Sequence, residues 1–370
     1  MHCQAMVRYK VAFIGGGINS IAGYVHFCAS RLDGLFEVSA GVFSRNKEIN
    51  LKSADFYGAD AFGDVDTMLK TVKGQIDLVV VLTPTPLHYE HVAKAIEMGY
   101  PVICEKPLFK SYEEIIAFEE NFKSSNHFLC ITYNYIAYPM LTELRNMFLS
   151  GEMGELISMH LEMPQESFLR PPKVIDYPPW WRKKDEGIPT IILDLASHLF
   201  SISYYITEKD IKRLKSIHRS FSPYGVVDDV KCLFEYESGE PGFMWVSKVA
   251  LGNRNGLKVC VYGTKMSACW VQEEPEKLFV AKSNGEKLII DRGSNIGIGG
   301  VRIYNRMTPG HPAGFIEAFA NLYSHIHRAY TIYKQTKKMK PEPIIWDFEK
   351  EKKNFQFMKK LSEDLLWKKK

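Results

Sequence analysis

No apolar run in this 370-residue chain approaches the roughly 18 residues that a membrane-crossing helix needs. The N-terminal MHCQAMVRYK also lacks the apolar stretch of a secretory leader, so none is expected. Cysteine is scarce and scattered: Cys3, Cys28, Cys104, Cys130, Cys232, Cys260 and Cys269 show no metal-ligand spacing. Several lie inside strand-like runs, where a free thiol behaves as a small hydrophobe. An odd count of seven fits a reducing, cytoplasmic compartment. A surplus of one charge is nearly absent as well, since 47 Lys and Arg against 43 Asp and Glu leave only +4. It gathers in KQTKKMK and in the final WKKK, which read as a solvated helix face and a frayed tail. Neither nucleic acid nor a membrane is expected as a partner.

What the chain does have is a 46% apolar share and length enough for two domains of roughly 150 residues each. Its first part alternates strands and helices. YKVAFIG (9–15), FEVSAGVF (36–43), a short piece at 60–62, IDLVVVL (76–82), VIC (102–104) and HFLCITY (127–133) read as strands. Helices are predicted from Asn19 to Arg31, from near Asn46, from an Asp64 cap, over 87–98, and from Ser111 with Glu114 at capping-box spacing. Repeated β-α-β units with apolar strands predict an α/β fold, a Rossmann doubly wound parallel sheet over residues 1–134.

From residue 135 the pattern changes. A helix over 137–149 ends at Gly151, and longer alternating runs follow: LISMHLEM, VKCLFEYE, GFMWVSKVA, LKVCVYG, SACWVQ and EKLFVAK. Their period of two predicts strands with one buried face, so residues 135–370 are expected to form an α+β domain with a large, mostly antiparallel open sheet. Helices are expected at 190–206, 312–333 and 345–366, the late ones able to pack back on the first domain.

The first strand runs into Gly15, Gly16, Gly17, Ile18, Asn19 and Ser20, where a helix starts. This is G-x-G-x-x-G with Ser20 in the third glycine's place. Gly15 permits the tight turn, Gly17 lets backbone approach a pyrophosphate, and the helix N-terminus offers unpaired N–H groups to the anion. A dinucleotide is therefore the expected cofactor. Sites that prefer NAD usually carry an acid at the end of the second strand, whereas Ser44 and Arg45 stand there in this chain. Arg45 could pair with a 2′-phosphate, so the expectation leans to NADP over NAD.

Further along, Asp194 and His198 are spaced i, i+4 on a predicted helix, which puts both on one face. A carboxylate beside an imidazole can fix its tautomer and raise its proton affinity, as an oriented general base requires. The segment 164–189 is proline-rich and aromatic, and long for a plain connection. In and near it, His160, Arg170 and Arg182 are candidate contacts for a polar, even phosphorylated, substrate, with loop packing the competing reading.

The run Thr83, Pro84, Thr85, Pro86, Leu87, His88, then Ala95, Gly99 and Val102, then Glu105, Lys106, Pro107 and Leu108, resembles the signature of the glucose–fructose oxidoreductase and inositol dehydrogenase family (Gfo/Idh/MocA). Thr85 stands where that family usually has Asn, and Ala196 where it more often has Gly. The resemblance continues through Asn134 with Pro139, Gly151 and Gly154, Asp194 with His198, and the late GFIEAFANLY. It implies an NAD(P)-dependent oxidoreductase acting on a sugar, cyclitol or nucleotide-linked sugar, assembled as a homodimer or homotetramer. Lys106 at a strand's carboxyl end is then aimed at the reacting carbon, often with a cis bond to Pro107. His198 accepts the hydroxyl proton, or shares that role with Lys106, while Asp194 positions it or touches the substrate. Thr83, Pro84, His88, Glu105 and Lys106 join the cofactor residues, and Asn134 the substrate contacts. Two rivals remain at this level: a redox-neutral glycosidase or epimerase that recycles NAD, and a catalytically silent dinucleotide-binding regulator.

Overall fold

The computed structural model describes residues 7–122, 127–171 and 177–366; Cys3 and the final WKKK lie outside them. The chain divides into two units. One holds the residues up to Asn134 together with Phe315–Glu351, the other Tyr135–Gly314 with the residues from Lys352 onward.

The first unit is a six-stranded parallel sheet in the order β3-β2-β1-β4-β5-β6. The strands are β1 (Tyr9–Gly15), β2 (Phe36–Val42), β3 (Asp60–Ala61), β4 (Leu78–Leu82), β5 (Val102–Cys104) and β6 (Leu129–Ile131). Between them run α1 (Ile21–Leu32), α2 (Lys47–Tyr57), α3 (Val65–Thr71), α4 (His88–Glu97) and α5 (Tyr112–Asn121). Every residue of β4 is buried, as covering on both faces demands. The helices start where polar side chains cap them: Ser20 accepts from Gly23 N, Asn46 from Ile49 N, Asp64 from Thr67 N and Ser111 from Glu114 N. Thr85–Leu87 forms a turn of 3₁₀ helix, which delays α4 by one residue against the predicted start.

Late chain completes this unit. α8 (Phe315–Thr336) lies along α1 and the first strands: Tyr323 packs on Phe36 at 5.3 Å, Tyr330 on Tyr9 at 4.8 Å, and the Tyr9 and Thr331 hydroxyls are 2.9 Å apart. Trp346 then pairs antiparallel with Ile131 at the edge of β6.

The second unit holds an eight-stranded sheet in the order β14-β13-β12-β11-β7-β10-β9-β8. These are β7 (Leu156–Pro164), β8 (Ile211–Arg219), β9 (Asp229–Tyr236), β10 (Pro241–Ser247), β11 (Lys258–Gly263), β12 (Met266–Val271), β13 (Leu278–Lys282) and β14 (Lys287–Ile290). All neighbours are antiparallel except β10 with β7. The sequence reading missed β8 and β14. IKRLKSIHR carries charge on both faces, and four-residue KLII is too short to alternate visibly.

α6 (Pro139–Leu149) and α7 (Ser197–Thr207) belong to this unit, and α9 (Phe348–Glu363) begins in the first unit and ends in the second. α7 covers one sheet face, because Ser203 and Tyr236 share a hydrogen bond of 2.6 Å and Tyr236 in turn reaches Met159. The helix predicted over 190–206 is present, with Ile192–Ala196 as a π-helical turn that runs directly into α7.

The opposite face is open. Lys215, Leu233, Phe243, His160, Cys260, Cys269, Phe279 and Ile289 stand in one row across it, each opposite the next. Leu233 is 65% exposed and Ile289 64%. Within that row Cys260 and Cys269 are joined as a disulfide, contrary to the expectation of free thiols. They are nine residues apart and face each other across the β11–β12 hairpin. Among the described residues no helix is long and apolar enough to cross a membrane.

Candidate active site

The glycine turn sits where β1 ends, between β2 and β4. Gly15 has a φ of +84° and a Cβ there would lie 2.8 Å from Leu82 C and Thr83 N, so the turn and β4 exclude any side chain. Tyr57 O–H donates to Gly16 O at 2.8 Å and Ile18 N–H to Ser53 Oγ at 3.0 Å, tying the turn to α2. The Ile18 amide is thus committed within the protein. Ser20 does not stand in for a packing glycine; it is the N-cap of α1. The close helix contact falls to Gly23, whose Cβ would be 2.0 Å from Gly16 O. The sequence motif missed it because its spacing exceeds the consensus by three.

At the end of β2, Asn50 Oδ1 accepts from Phe43 N at 2.7 Å and from Ser44 N at 3.4 Å. Ser44 Oγ accepts from Asn46 N, while Arg45 is exposed and makes no ion pair among the described residues.

The corner after β5 is held from several directions. The Lys106–Pro107 bond is cis. Glu105 Oε1 accepts from Thr132 Oγ1 at 2.6 Å and from His26 Nε2 at 2.8 Å. His26 is fully buried in α1, and with Nε2–H given to the carboxylate, its Nδ1 accepts from Tyr323 O–H at 2.7 Å. Burial would raise the Glu105 pKa, but the bonds from His26 and Thr132 and the nearby positive charges outweigh it and hold the carboxyl below its usual range.

Beyond the proline, Leu108 N–H donates to Glu351 Oε1 at 3.0 Å. That buried carboxylate also accepts from Tyr133 O–H at 3.1 Å and Trp346 Nε1–H at 2.7 Å. Charge-assisted bonds of this kind contribute about 1.5–3 kcal/mol each, enough to offset its burial. The residues on either side of Lys106 are therefore immobilised by His26, Thr132, Tyr323 and Glu351. None of these four was legible as functional, since they come from other parts of the chain.

His88, expected among the cofactor residues, is buried with Nε2 2.7 Å from Thr83 O and Nδ1 3.0 Å from Pro107 O, and as a neutral imidazole it donates to one of the two. Burial lowers its pKa against the pull of those carbonyls and of Glu105. It binds the Thr83–Pro84 loop to the lysine corner. Thr83 Oγ1 lies 3.2 Å from His91 Nδ1. Asn134, just past β6, is 2% exposed, and its Nδ2 has no hydrogen-bond partner among the described residues.

The parallel strands place the glycine turn, Thr83, Lys106 and Asn134 on one edge of the sheet, their carboxyl ends. A nucleotide fits this edge on two counts: a cradle that side chains cannot enter, and a buried amide donor with nothing to bond.

In the second unit Asp194 lies within the π turn and His198 in the first turn of α7. Asp194 is buried, with Oδ1 accepting from Arg182 Nη2 at 3.1 Å and Oδ2 from Lys248 Nζ at 2.8 Å. Arg182 also stacks on the Trp181 ring at 4.6 Å. His198, 4% exposed, meets the Tyr135 ring edge-on at 4.7 Å.

Of the other candidates, Arg182 is thus brought to Asp194. Arg170 is exposed and lies 3.9 Å from Glu166. His160 stands on the open sheet face against Phe243 and Tyr262, opposite the face that α7 covers, so the sheet separates it from His198.

A model of an oxidoreductase family with an NAD-binding Rossmann fold matches residues 9–133, and a GFO/IDH/MocA C-terminal domain model matches residues 141–269. An uncharacterized oxidoreductase of Bacillus subtilis, YfiI, is 30% identical over 328 residues, which cover 84% of this chain and 83% of that one. A levoglucosan dehydrogenase of Pseudarthrobacter phenanthrenivorans is 25% identical over 306 residues, covering 75% and 77%. Among solved structures, an inositol dehydrogenase homolog from Azotobacter vinelandii, complexed with NADH and myo-inositol, superimposes with a TM-score of 0.85 at 26% identity, covering 95% and 94%.

Proposed function

The chain belongs to the GFO/IDH/MocA family of oxidoreductases, and from that premise we propose that it is an NAD(P)-dependent dehydrogenase of CH–OH groups in a sugar or cyclitol. The observation that supports the reading is the carboxyl edge of the parallel sheet, which carries a side-chain-free turn, Lys106 between the anchored Glu105 and Leu108, and a buried Asn134 amide nitrogen with no partner among the described residues. Names of the relatives support the substrate class, since levoglucosan, inositol and glucoside dehydrogenases are among them.

When bound, a nicotinamide supplies the hydride acceptor or donor. The chain's own residues do the rest. Gly15 to Gly17 and the α1 N-terminus receive the pyrophosphate, and Arg45 pairs with a 2′-phosphate, which favours NADP. Lys106 Nζ donates to the reacting hydroxyl oxygen and stabilises negative charge there as hydride leaves. Asp194, kept anionic by Arg182 and Lys248, accepts from a substrate hydroxyl, and the His198 imidazole takes the proton. Asn134 donates its amide hydrogen to the bound ligand.

The open, largely apolar row from Leu233 to Ile289 supports assembly with a second copy through that face, as a homodimer or homotetramer. A cytoplasmic setting remains part of the proposal. It requires the Cys260–Cys269 bond to survive reduction or to be dispensable.

The test is a panel of sugars, cyclitols and sugar nucleotides followed at nicotinamide absorbance with NAD and NADP. Cofactor reduction in proportion to product, with at least one polyol, is expected. Product without net cofactor change would replace this reading with redox-neutral chemistry, and tight nucleotide binding without turnover on any of them would leave a binding protein.

A further inference from the structure

Lys248 follows β10 directly and is 3% exposed. Its backbone is fixed at both ends, with its N–H donating to Asp228 O at 2.8 Å and its carbonyl accepting from Phe168 N at 2.9 Å. A buried ammonium is costly without partners. Here Nζ donates to Asp194 Oδ2 and to Gln165 Oε1, both at 2.8 Å.

Two consequences follow from the fact that an ammonium can only donate. Asp194 lies between two cations, Lys248 and Arg182, and so remains an acceptor. Gln165 must also turn its carbonyl oxygen toward Lys248, which leaves its amide nitrogen to donate to Asn255 Oδ1 at 2.8 Å. Asn255 is fixed in turn, and its Nδ2 donates to the Tyr135 hydroxyl oxygen at 2.9 Å. Tyr135 is the ring that meets His198 edge-on, at an interplanar angle of 81°. One buried cation thus sets the direction of every bond from the Asp194 carboxylate round to the ring against His198.

We propose that Lys248 is the positioning residue of the Asp194–His198 pair: it holds Asp194 as a hydroxyl acceptor and, through Gln165 and Asn255, aligns Tyr135 against His198. The inference rests on the roles given above to Asp194 and His198. A methionine would fill the same space without burying a charge, so space-filling alone does not account for the ammonium.

The test uses the full chain with Lys248→Met, Lys248→Arg, Asp194→Asn and the double variant Asp194→Asn/Lys248→Met. One readout is initial rate with myo-inositol, scyllo-inositol and levoglucosan at saturating NAD. The other, independent of turnover, is the ¹³Cε1 NMR spectrum of the 11 histidines, with the His198 signal assigned through His198→Gln.

Lys248→Met is expected to lower kcat/KM about 100-fold and to shift the His198 signal alone, and Lys248→Arg to recover activity to within about tenfold of wild type. The double variant should be no worse than Asp194→Asn, within about threefold, because Lys248 acts through Asp194. Lys248→Met with wild-type kcat/KM beside an inactive Asp194→Asn, or with an unmoved His198 signal, overturns the proposal. An active Asp194→Asn overturns the reading of the site instead, and the His198 signal still decides the role of Lys248. Should Lys248→Met not fold, Gln165→Leu leaves the Lys248–Asp194 pair intact. It must then shift the same signal, and an unmoved signal again overturns the proposal.

Discussion

The two sheets use their surfaces in opposite ways. The parallel sheet of the first unit is covered on both faces, and its proposed site residues lie on one edge, where the carboxyl ends of β1, β4, β5 and β6 meet the loops that follow. The eight-stranded sheet of the second unit covers one face with helices, among them the one that carries His198, and leaves the other open in an apolar row. Function at an edge is written in short contiguous motifs, because a strand and the loop after it are adjacent in sequence. Contacts on a face are assembled from residues far apart, such as Tyr135 and Asn255, separated by 120 positions.

The largest effects test whether both regions serve one turnover. Lys106→Met should lower kcat by about 1,000-fold or more, since a positioned charge and donor at the reacting oxygen is lost. His198→Asn should cost about 100-fold or more through the missing proton acceptor. Both variants should bind nucleotide as wild type does, measured by quenching of protein fluorescence. The comparison breaks if His198→Asn turns over normally, or if Lys106→Met loses nucleotide affinity in step with rate.

Packing offers a second contrast. A Cβ on Gly23 would meet the Gly16 carbonyl at 2.0 Å, while one on Gly242 would meet the Phe234 ring at 2.1 Å. Backbone cannot rotate away and a ring can. Gly23→Ala should therefore destabilise by about 3 kcal/mol and Gly242→Ala by about 1 kcal/mol in urea unfolding. Equal losses would mean that the two environments yield alike.

That contrast also shows what sequence could and could not reveal. The strand–glycine–helix order, the lysine corner and the alternating strands are local patterns, and the structure has them where periodicity put them. Gly23, His26, Thr132, Tyr323, Glu351 and Lys248 matter through contacts made across the fold, and no spacing announces those. The pair Asp194 and His198 was visible as a spacing, whereas Arg182 and Lys248, the partners of Asp194, come from other segments and no spacing announces them. For His160, alternation along β7 reveals that a face exists and not which face the helices cover.

The two site carboxylates differ in their partners: Glu105 accepts from His26 and Thr132, and Asp194 from Arg182 and Lys248. Glu105 has a folded pKa below its unfolded value near 4.5, so its stabilising contribution is in force above about 4.5 and is lost as pH falls through the folded value. Glu105→Gln should accordingly lower Tm by about 3 °C at pH 7, with the gap to wild type narrowing below about pH 4.5 in calorimetry. A gap that stays constant down to pH 3 would show that the loss is one of shape and not of charge.

The smallest expected effect lies at the end of β2. An acid in this place would accept from a 2′-hydroxyl and repel a phosphate; Arg45 would do the reverse. Because its guanidinium is exposed and has no competing carboxylate among the described residues, it can turn to a 2′-phosphate without breaking an existing pair. Solvent screens it equally, so its contribution is that of one surface charge-assisted contact. Arg45→Ala should raise the Kd for NADP about tenfold and that for NAD less than twofold, by titration calorimetry at constant ionic strength. Doubling the salt should shrink the NADP effect and leave NAD unchanged. Equal weakening of both nucleotides would remove the phosphate pairing proposed for Arg45.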